Sequence, residues 1–290
     1  METVAAASLR RLPPGSGNQL ITMSNKVLII IIDGCRPDGI EAADTPVIDH
    51  LVATGAHTFA AQTVSPPITL PAHFSIFTGR TPLNHGVLVN SASPGVSPDT
   101  VSLFELARYH GRTSAAFYSW EHLRNLAPPG VLAESHLIDT VADPEGDLII
   151  AELAGRRIAT TRFDLSFVYL EGVDKAGHEH GWMSASYIEA ITIADRAIGR
   201  LRDTLATECV LSDYTTLLLA DHGGSGSHHQ QLTPEVLTVP FIAHGERITP
   251  GFTISRPVSV IDLAPTAAHL MNITPHWLWE GNAITEMLRS

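Results

Sequence analysis

The chain alternates between short, continuously apolar runs and longer segments in which apolar residues recur every three or four positions. After its opening Lys26, "KVLIIII" (26–32) is apolar without interruption and rich in β-branched residues, the pattern of a strand buried on both faces. Further strands are predicted at 56–64 ("AHTFAAQTV"), 113–119 ("TSAAFYS"), 163–170 ("FDLSFVYL"), 215–221 ("TTLLLAD") and 239–245 ("VPFIAHG"). Between them the period lengthens. Residues 45–55 predict a helix with Thr45 as cap, Pro46 in its first position and Gly55 at its end, and helices are also predicted over 70–78, 99–111 and 143–158. Residues 184–206 place Ile188, Ile191, Ala194, Ile198, Leu201 and Leu205 on one face of a long amphipathic helix. A last helix is predicted over 260–273, starting near Asp262 with Pro265 in its early turns. This alternation implies an α/β fold, a mostly parallel central sheet with helices on both faces. No repeat, low-complexity tract or linker divides residues 26–290, so a single domain is expected after a disordered or extended leader at 1–25.

Composition narrows the function. With 290 residues, 44% of them hydrophobic, the chain can bury a large core. A net charge of −12 speaks against a nucleic-acid-binding surface but not against a small phosphorylated substrate, because bound metal ions reverse the local field. Two cysteines, Cys35 and Cys209, suggest neither a disulfide framework nor a cysteine-rich zinc module, whereas 15 histidines are available. The N-terminal residues lack the apolar stretch of a signal peptide, and no stretch reaches membrane-spanning length without charges or prolines. A cytoplasmic protein with no membrane partner is expected.

The candidate chemistry sits where strands end, which is where ligands gather in such sheets. "LIIIID" ends in Asp33, "TLLLADHGG" in Asp221 and His222, and "VYLEGVDKAGHEHG" carries Asp174 and His178 just beyond its strand. An aspartate there often only caps the next helix. Three acidic strand ends, two with histidine, point instead to a site for two divalent ions. Oxygen and imidazole ligands without thiolates suit zinc, manganese or ferrous iron better than calcium. "VSPPITLPAHFSIFTG" (64–79) adds a threonine between prolines at a helix start. Thr69 there is either a helix cap or a nucleophile presented where unpaired N–H groups can hold an anion.

Four ordered motifs, "IIDGCRPD", "TLPAHFSIFTGRTPLNHGVLVN", "EGVDKAGHEHG" and "ADHGG", resemble the alkaline phosphatase superfamily, and within it the nucleotide pyrophosphatase/phosphodiesterase branch. The resemblance runs from about Lys26 to the C-terminus. It implies one zinc ion held by Asp33, Thr69, Asp221 and His222, and another held by Asp174, His178 and a later histidine. His229 matches that last position best, with adjacent His228 as the alternative, since Gln230 stands where relatives often have glycine. Manganese is the alternative metal. Thr69 is implied as the nucleophile that forms a phosphothreonine, and Asn90, 21 positions later, as a contact to the phosphoryl oxygens together with the backbone N–H near Leu70. The implied function is hydrolysis of a phosphodiester or nucleotide pyrophosphate. A phosphomonoesterase or phosphonate hydrolase, and a non-catalytic metal-binding protein, are the alternatives. A sulfatase would need an oxidised cysteine or serine followed by arginine, and Thr69-Leu70-Pro71-Ala72-His73 lacks both.

Overall fold

The structure is a computed structural model that describes residues 26–140, 143 and 145–289; the expected leader at 1–25 lies outside them. In chain order the elements are β1 (Lys26–Ile32), α1 (Pro37–Ala42), α2 (Pro46–Thr54), β2 (Ala56–Gln62), α3 (Thr69–Thr78), α4 (Pro82–His85), α5 (Leu103–Tyr109), β3 (Ser114–Tyr118), β4 (Glu134–Leu137), α6 (Gly146–Thr161), β5 (Leu165–Leu170), α7 (Gly172–His180), α8 (Ala185–Thr207), β6 (Tyr214–Leu219), α9 (Pro234–Leu237), β7 (Thr238–His244), β8 (Phe252–Thr253) and α10 (Leu263–Leu270). One 8-stranded sheet has the order β4-β3-β5-β1-β6-β7-β2-β8. β7 runs antiparallel to β6 and β2, and the other pairings are parallel.

β1 is central because everything after Lys26 shuns water: Val27 through Ile32 are fully buried. Each such Ile, Leu or Val contributes about 1.5–3 kcal/mol by leaving water, and only a strand with helices on both faces can bury every side chain. α6, α7, α8, α1 and α2 pack together as one layer, while α3, α5 and α10 form another. The apolar face predicted for α8 is observed: Ile191, Ala194, Ile198, Leu201 and Leu205 are all buried.

The structure adjusts several local expectations. α5 starts after Ser102 rather than Asp99, because Ser102 and Glu105 form a reciprocal capping box. Thr45 makes no side-chain capping bond at α2; Asp195 of α8 does that work, accepting from the Ile48 N–H at 2.7 Å and the Val47 N–H at 3.2 Å. β4, β8, α1, α4 and α9 are too short to show a period. Cys35 and Cys209 are free thiols. Among the described residues, no helix is long and apolar enough to cross a membrane.

Candidate active site

Strand register assembles the site. Ile32 of β1 pairs with Leu170 of β5, and Ile31 pairs with Leu219 of β6. The residues that follow, Asp33, Glu171 and Asp221, therefore leave the sheet side by side at its carboxyl edge. Gly34 turns the chain there with φ +66, and a Cβ on it would lie 2.9 Å from Asp174 Oδ1. Only glycine lets α7 bring Asp174 that close to the end of β1. α7 places Asp174 and His178 one turn apart, with His178 Nε2 3.4 Å from Asp174 Oδ2.

His222 is the hub. Its Nε2 lies 3.4 Å from Asp33 Oδ1, 3.4 Å from Asp221 Oδ2 and 3.4 Å from Thr69 Oγ1. The His229 ring stacks on it at 3.9 Å. Two compact groups result, Asp33–Asp221–His222 and Asp174–His222–His229, each with its candidate ligand atoms within 4.8 Å of one another. His178 stands beside the second group, 5.0 Å from the His229 ring, rather than inside it. His229 is buried, whereas His228 is exposed and lies outside both groups.

The donor set suits cations. Asp33 Oδ1, Asp174 Oδ1 and Asp221 Oδ2 are buried without a hydrogen-bond partner, and buried carboxylate oxygens in that state are costly unless a positive ion meets them. Each histidine is also turned for coordination. Nδ1 donates to a backbone carbonyl in His178 (Ser227, 2.9 Å), His222 (Gly223, 2.9 Å) and His229 (Pro67, 2.8 Å). A carbonyl only accepts, so Nδ1 holds the proton and Nε2 keeps its lone pair for the cluster. Burial, then the charges of Asp221 and Asp174, push the Asp33 carboxyl well above its ordinary value. Asp174 is raised by burial, Asp221 and Glu171. Burial also presses Asp221 upward, but His222 and His73 outweigh it and hold that group low. Burial pushes His222 down to about 4 and lowers His229, favouring the neutral imidazole that a metal requires.

Thr69 is not the cap of α3. Ile68 occupies that position, no side chain caps the helix, and Thr69 is its first residue. Its hydroxyl faces His222 instead. Asn90 Oδ1 accepts the Leu70 N–H at 3.0 Å. The two groups expected to grip phosphoryl oxygens together are thus bonded to each other, which leaves the Asn90 amide NH₂ as the free donor. His73 and His85 are structural: His73 Nδ1 bonds the Thr69 carbonyl at 2.8 Å, and His85 Nε2 meets Ser75 Oγ at 2.9 Å.

Sequence reading missed the residues that hold the ligands in place. The Tyr169 hydroxyl donates to Asp33 Oδ2, and the Thr63 hydroxyl to the Asp221 carbonyl. Trp182 Nε1 donates to the Gly34 carbonyl at 2.9 Å, and its ring packs edge-on against His178 at 5.0 Å and His229 at 6.0 Å. A Cβ on Gly224 would lie 2.0 Å from Trp182 Cε2, so the second glycine of "DHGG" makes room for this indole. A tryptophan directly after the glycine that ends α7 was the available signal. Phe117 and Tyr118 are core, and Trp120 stacks on His122 at 4.5 Å.

A family model described as type I phosphodiesterase / nucleotide pyrophosphatase matches residues 27–240. The chain is 26% identical over 218 residues to ectonucleotide pyrophosphatase/phosphodiesterase family member 1 of Mus musculus, covering 69% of this chain and 24% of that protein. To family member 7 of Homo sapiens it is 26% identical over 250 residues, covering 76% of this chain and 52% of that protein. The chain thus spans about a quarter to a half of the length of these curated relatives. Murine ectonucleotide pyrophosphatase/phosphodiesterase 5, solved as an inactive threonine-to-alanine form in complex with AMP, matches with a TM-score of 0.76 at 16% identity, covering 91% of this chain and 100% of that one. At that identity the likeness is one of fold, an alkaline-phosphatase-like arrangement of a mixed, mostly parallel sheet and its helices.

Proposed function

The chain belongs to the type I phosphodiesterase/nucleotide pyrophosphatase family of the alkaline phosphatase superfamily, and from that premise we propose that it hydrolyses phosphoric esters with Thr69 as nucleophile. The observation that carries this reading is the placement of the Thr69 hydroxyl. It makes no capping bond and lies 3.4 Å from His222 Nε2, at the edge of a cluster of buried, unpartnered carboxylate oxygens. A binding protein has no use for an alcohol there.

Asp33, Asp221, His222 and Thr69 would hold one divalent ion, and Asp174, His178 and His229 the other, with zinc preferred over manganese for this oxygen and imidazole set. Ions so bound supply Lewis acidity, lowering the pKa of a ligated hydroxyl and neutralising charge on phosphoryl and leaving oxygens. Thr69 Oγ would bond to phosphorus as the leaving ester oxygen departs and takes up a proton, giving a phosphothreonine that still carries the second substituent of a diester, and water would then break the Thr69 Oγ–P bond to release the phosphomonoester and restore the hydroxyl. Asn90, tied to the helix start through Leu70, presents its amide NH₂ to a non-bridging oxygen. His73 holds the Thr69 carbonyl and so fixes the first turn of α3, while Tyr169 and Trp182 keep Asp33 and Gly34 in register with the cluster. The substrate is a small phosphodiester or nucleotide pyrophosphate; the AMP bound by the murine relative makes a nucleotide the first compound to try.

Acid quenching during turnover of a nitrophenyl phosphodiester, followed by peptide mass analysis, should find Thr69 carrying the phosphoryl group with the diester's retained ester substituent. Rates on matched diester, monoester and phosphonate substrates should rank the diester first. Metal content without turnover on any of the three, or full activity of a folded Thr69→Ala protein, would overturn the reading.

A further inference from the structure

At the sheet edge opposite the carboxylate cluster, the last turns of α8, the start of β6 and the end of β7 border a cavity of about 370 Å³. Arg202 lines it and is only 9% exposed, yet its Nη1 is buried with no hydrogen-bond partner. The contrast with Arg80 is instructive. That side chain is as deeply buried at 8% and also leaves its Nε without a partner, but its Nη1 reaches Asp99 at 3.2 Å and Thr100 at 3.3 Å, so its charge is paired where that of Arg202 is not. A buried guanidinium N–H left without an acceptor is expensive, and the expense is relieved when an anion enters. In a chain of net charge −12, its described neighbours include Asp203 and the cavity's own Glu246, but neither closes an ion pair with it.

The cavity also says which anion. Its wall is apolar on one side, formed by Ala206, Leu211 and Tyr214, and the Tyr214 hydroxyl is already committed to the Phe163 carbonyl at 2.8 Å. His244 adds no second charge near neutral pH, because burial, then Arg202 and His50, push it down to about 4. Glu246 lines the same cavity but is exposed, so its charge is screened more than that of the buried guanidinium, which the ligand's charge must meet. One buried positive group beside an apolar wall matches an organic anion of low charge.

We propose that this cavity is a binding site for a small organic monoanion, a carboxylate on an apolar body, with the carboxylate seated on the Arg202 guanidinium. The site is separate from the carboxylate cluster and does not depend on the hydrolase reading.

Benzoate is the probe, titrated calorimetrically into the full chain. Wild type should bind it saturably at 1:1, and Arg202→Met should weaken binding by at least about tenfold, the effect of one charge-assisted hydrogen bond. Arg202→Met should also melt higher than wild type without benzoate, since an unpaired buried charge is gone, which separates lost binding from lost folding. Ala206→Phe, which fills the cavity and keeps the arginine, should weaken benzoate as well. Phosphodiester turnover should be the same in all three proteins. Equal benzoate affinity in wild type and Arg202→Met would overturn the proposal, as would the absence of saturable binding. Tighter Arg202-dependent binding of orthophosphate or chloride than of benzoate would overturn the organic monoanion.

Discussion

Asp33 and Asp164 sit at opposite ends of the same pair of strands, one just after β1 and the other just before β5. Asp164 is saturated: one carboxylate oxygen accepts the Thr113 N–H at 2.9 Å and hydroxyl at 3.0 Å, and the other faces Lys26 Nζ at 3.4 Å and Arg112 Nη1 at 3.5 Å. Burial presses this carboxyl upward, but Thr113 and Lys26 outweigh it and hold it below its ordinary value. Asp33 has Tyr169 on one oxygen and no hydrogen bond on the other, with two more buried carboxylates nearby, and its carboxyl is pushed well above the same ordinary value. The residue type and the strand pair are shared. One end spends all its bonding capacity on the fold, and the other withholds it for something the polypeptide does not supply. Unspent capacity, more than residue identity, marks the working end of this sheet.

Substitutions at the two ends should therefore separate activity from stability. Thr69→Ala should remove at least about a thousandfold of the phosphodiester turnover with an unchanged melting temperature. Asn90→Ala should lower turnover by about 10²–10³, the effect of one donor to a charged transition state, and should act mainly on kcat. Asp33→Asn should lose more than the about 10–100-fold that removing a partner outside the ligand shell costs a metal site, and should raise the melting temperature of chelator-treated protein by relieving carboxylate repulsion. A lower melting temperature in that state would break the comparison, because Asp33 would then be structural like its counterpart.

Asp164→Asn should do the reverse, costing about 1–3 kcal/mol in denaturant unfolding with kcat and KM unchanged. Its pH dependence carries a definite sign. The folded carboxyl titrates below its ordinary 3.8, so its stabilisation is present above that value and is lost as pH falls through the folded value. The acid limb of a melting-temperature profile should be shallower in Asp164→Asn than in wild type, the smallest of these effects. An unchanged limb would show that Asp164 is not the group that its hydrogen bonds imply.

How much was legible follows from how each feature is encoded. The long strands show in sequence because "KVLIIII" is apolar after Lys26 and "FDLSFVYL" is mostly so, and burial on both faces favours that. β4 escaped notice because its four residues alternate between partly buried and exposed at a sheet edge. The direction of β7 was invisible, since "VPFIAHG" reads the same in either orientation. At the site, the strand-end pattern offered Asp33, Asp174, His178, Asp221 and His222 as candidates, and the family resemblance added Asn90, His229 and the nucleophilic role for Thr69. Pairwise geometry was beyond both, including the 3.4 Å approaches to His222 and the bond between Asn90 and Leu70.

By itself the order of residues determined the fold class and the inventory of side chains at strand ends, because burial periodicity and turn chemistry are local properties of the chain. Only the tertiary structure decided which of those side chains meet, that Asp195 rather than Thr45 caps α2, that Trp182 braces the histidines, and that Arg202 keeps its Nη1 without a hydrogen-bond partner beside a cavity. Those outcomes depend on strand register and on helices distant in sequence packing together, and such contacts have no period for a linear pattern to reveal.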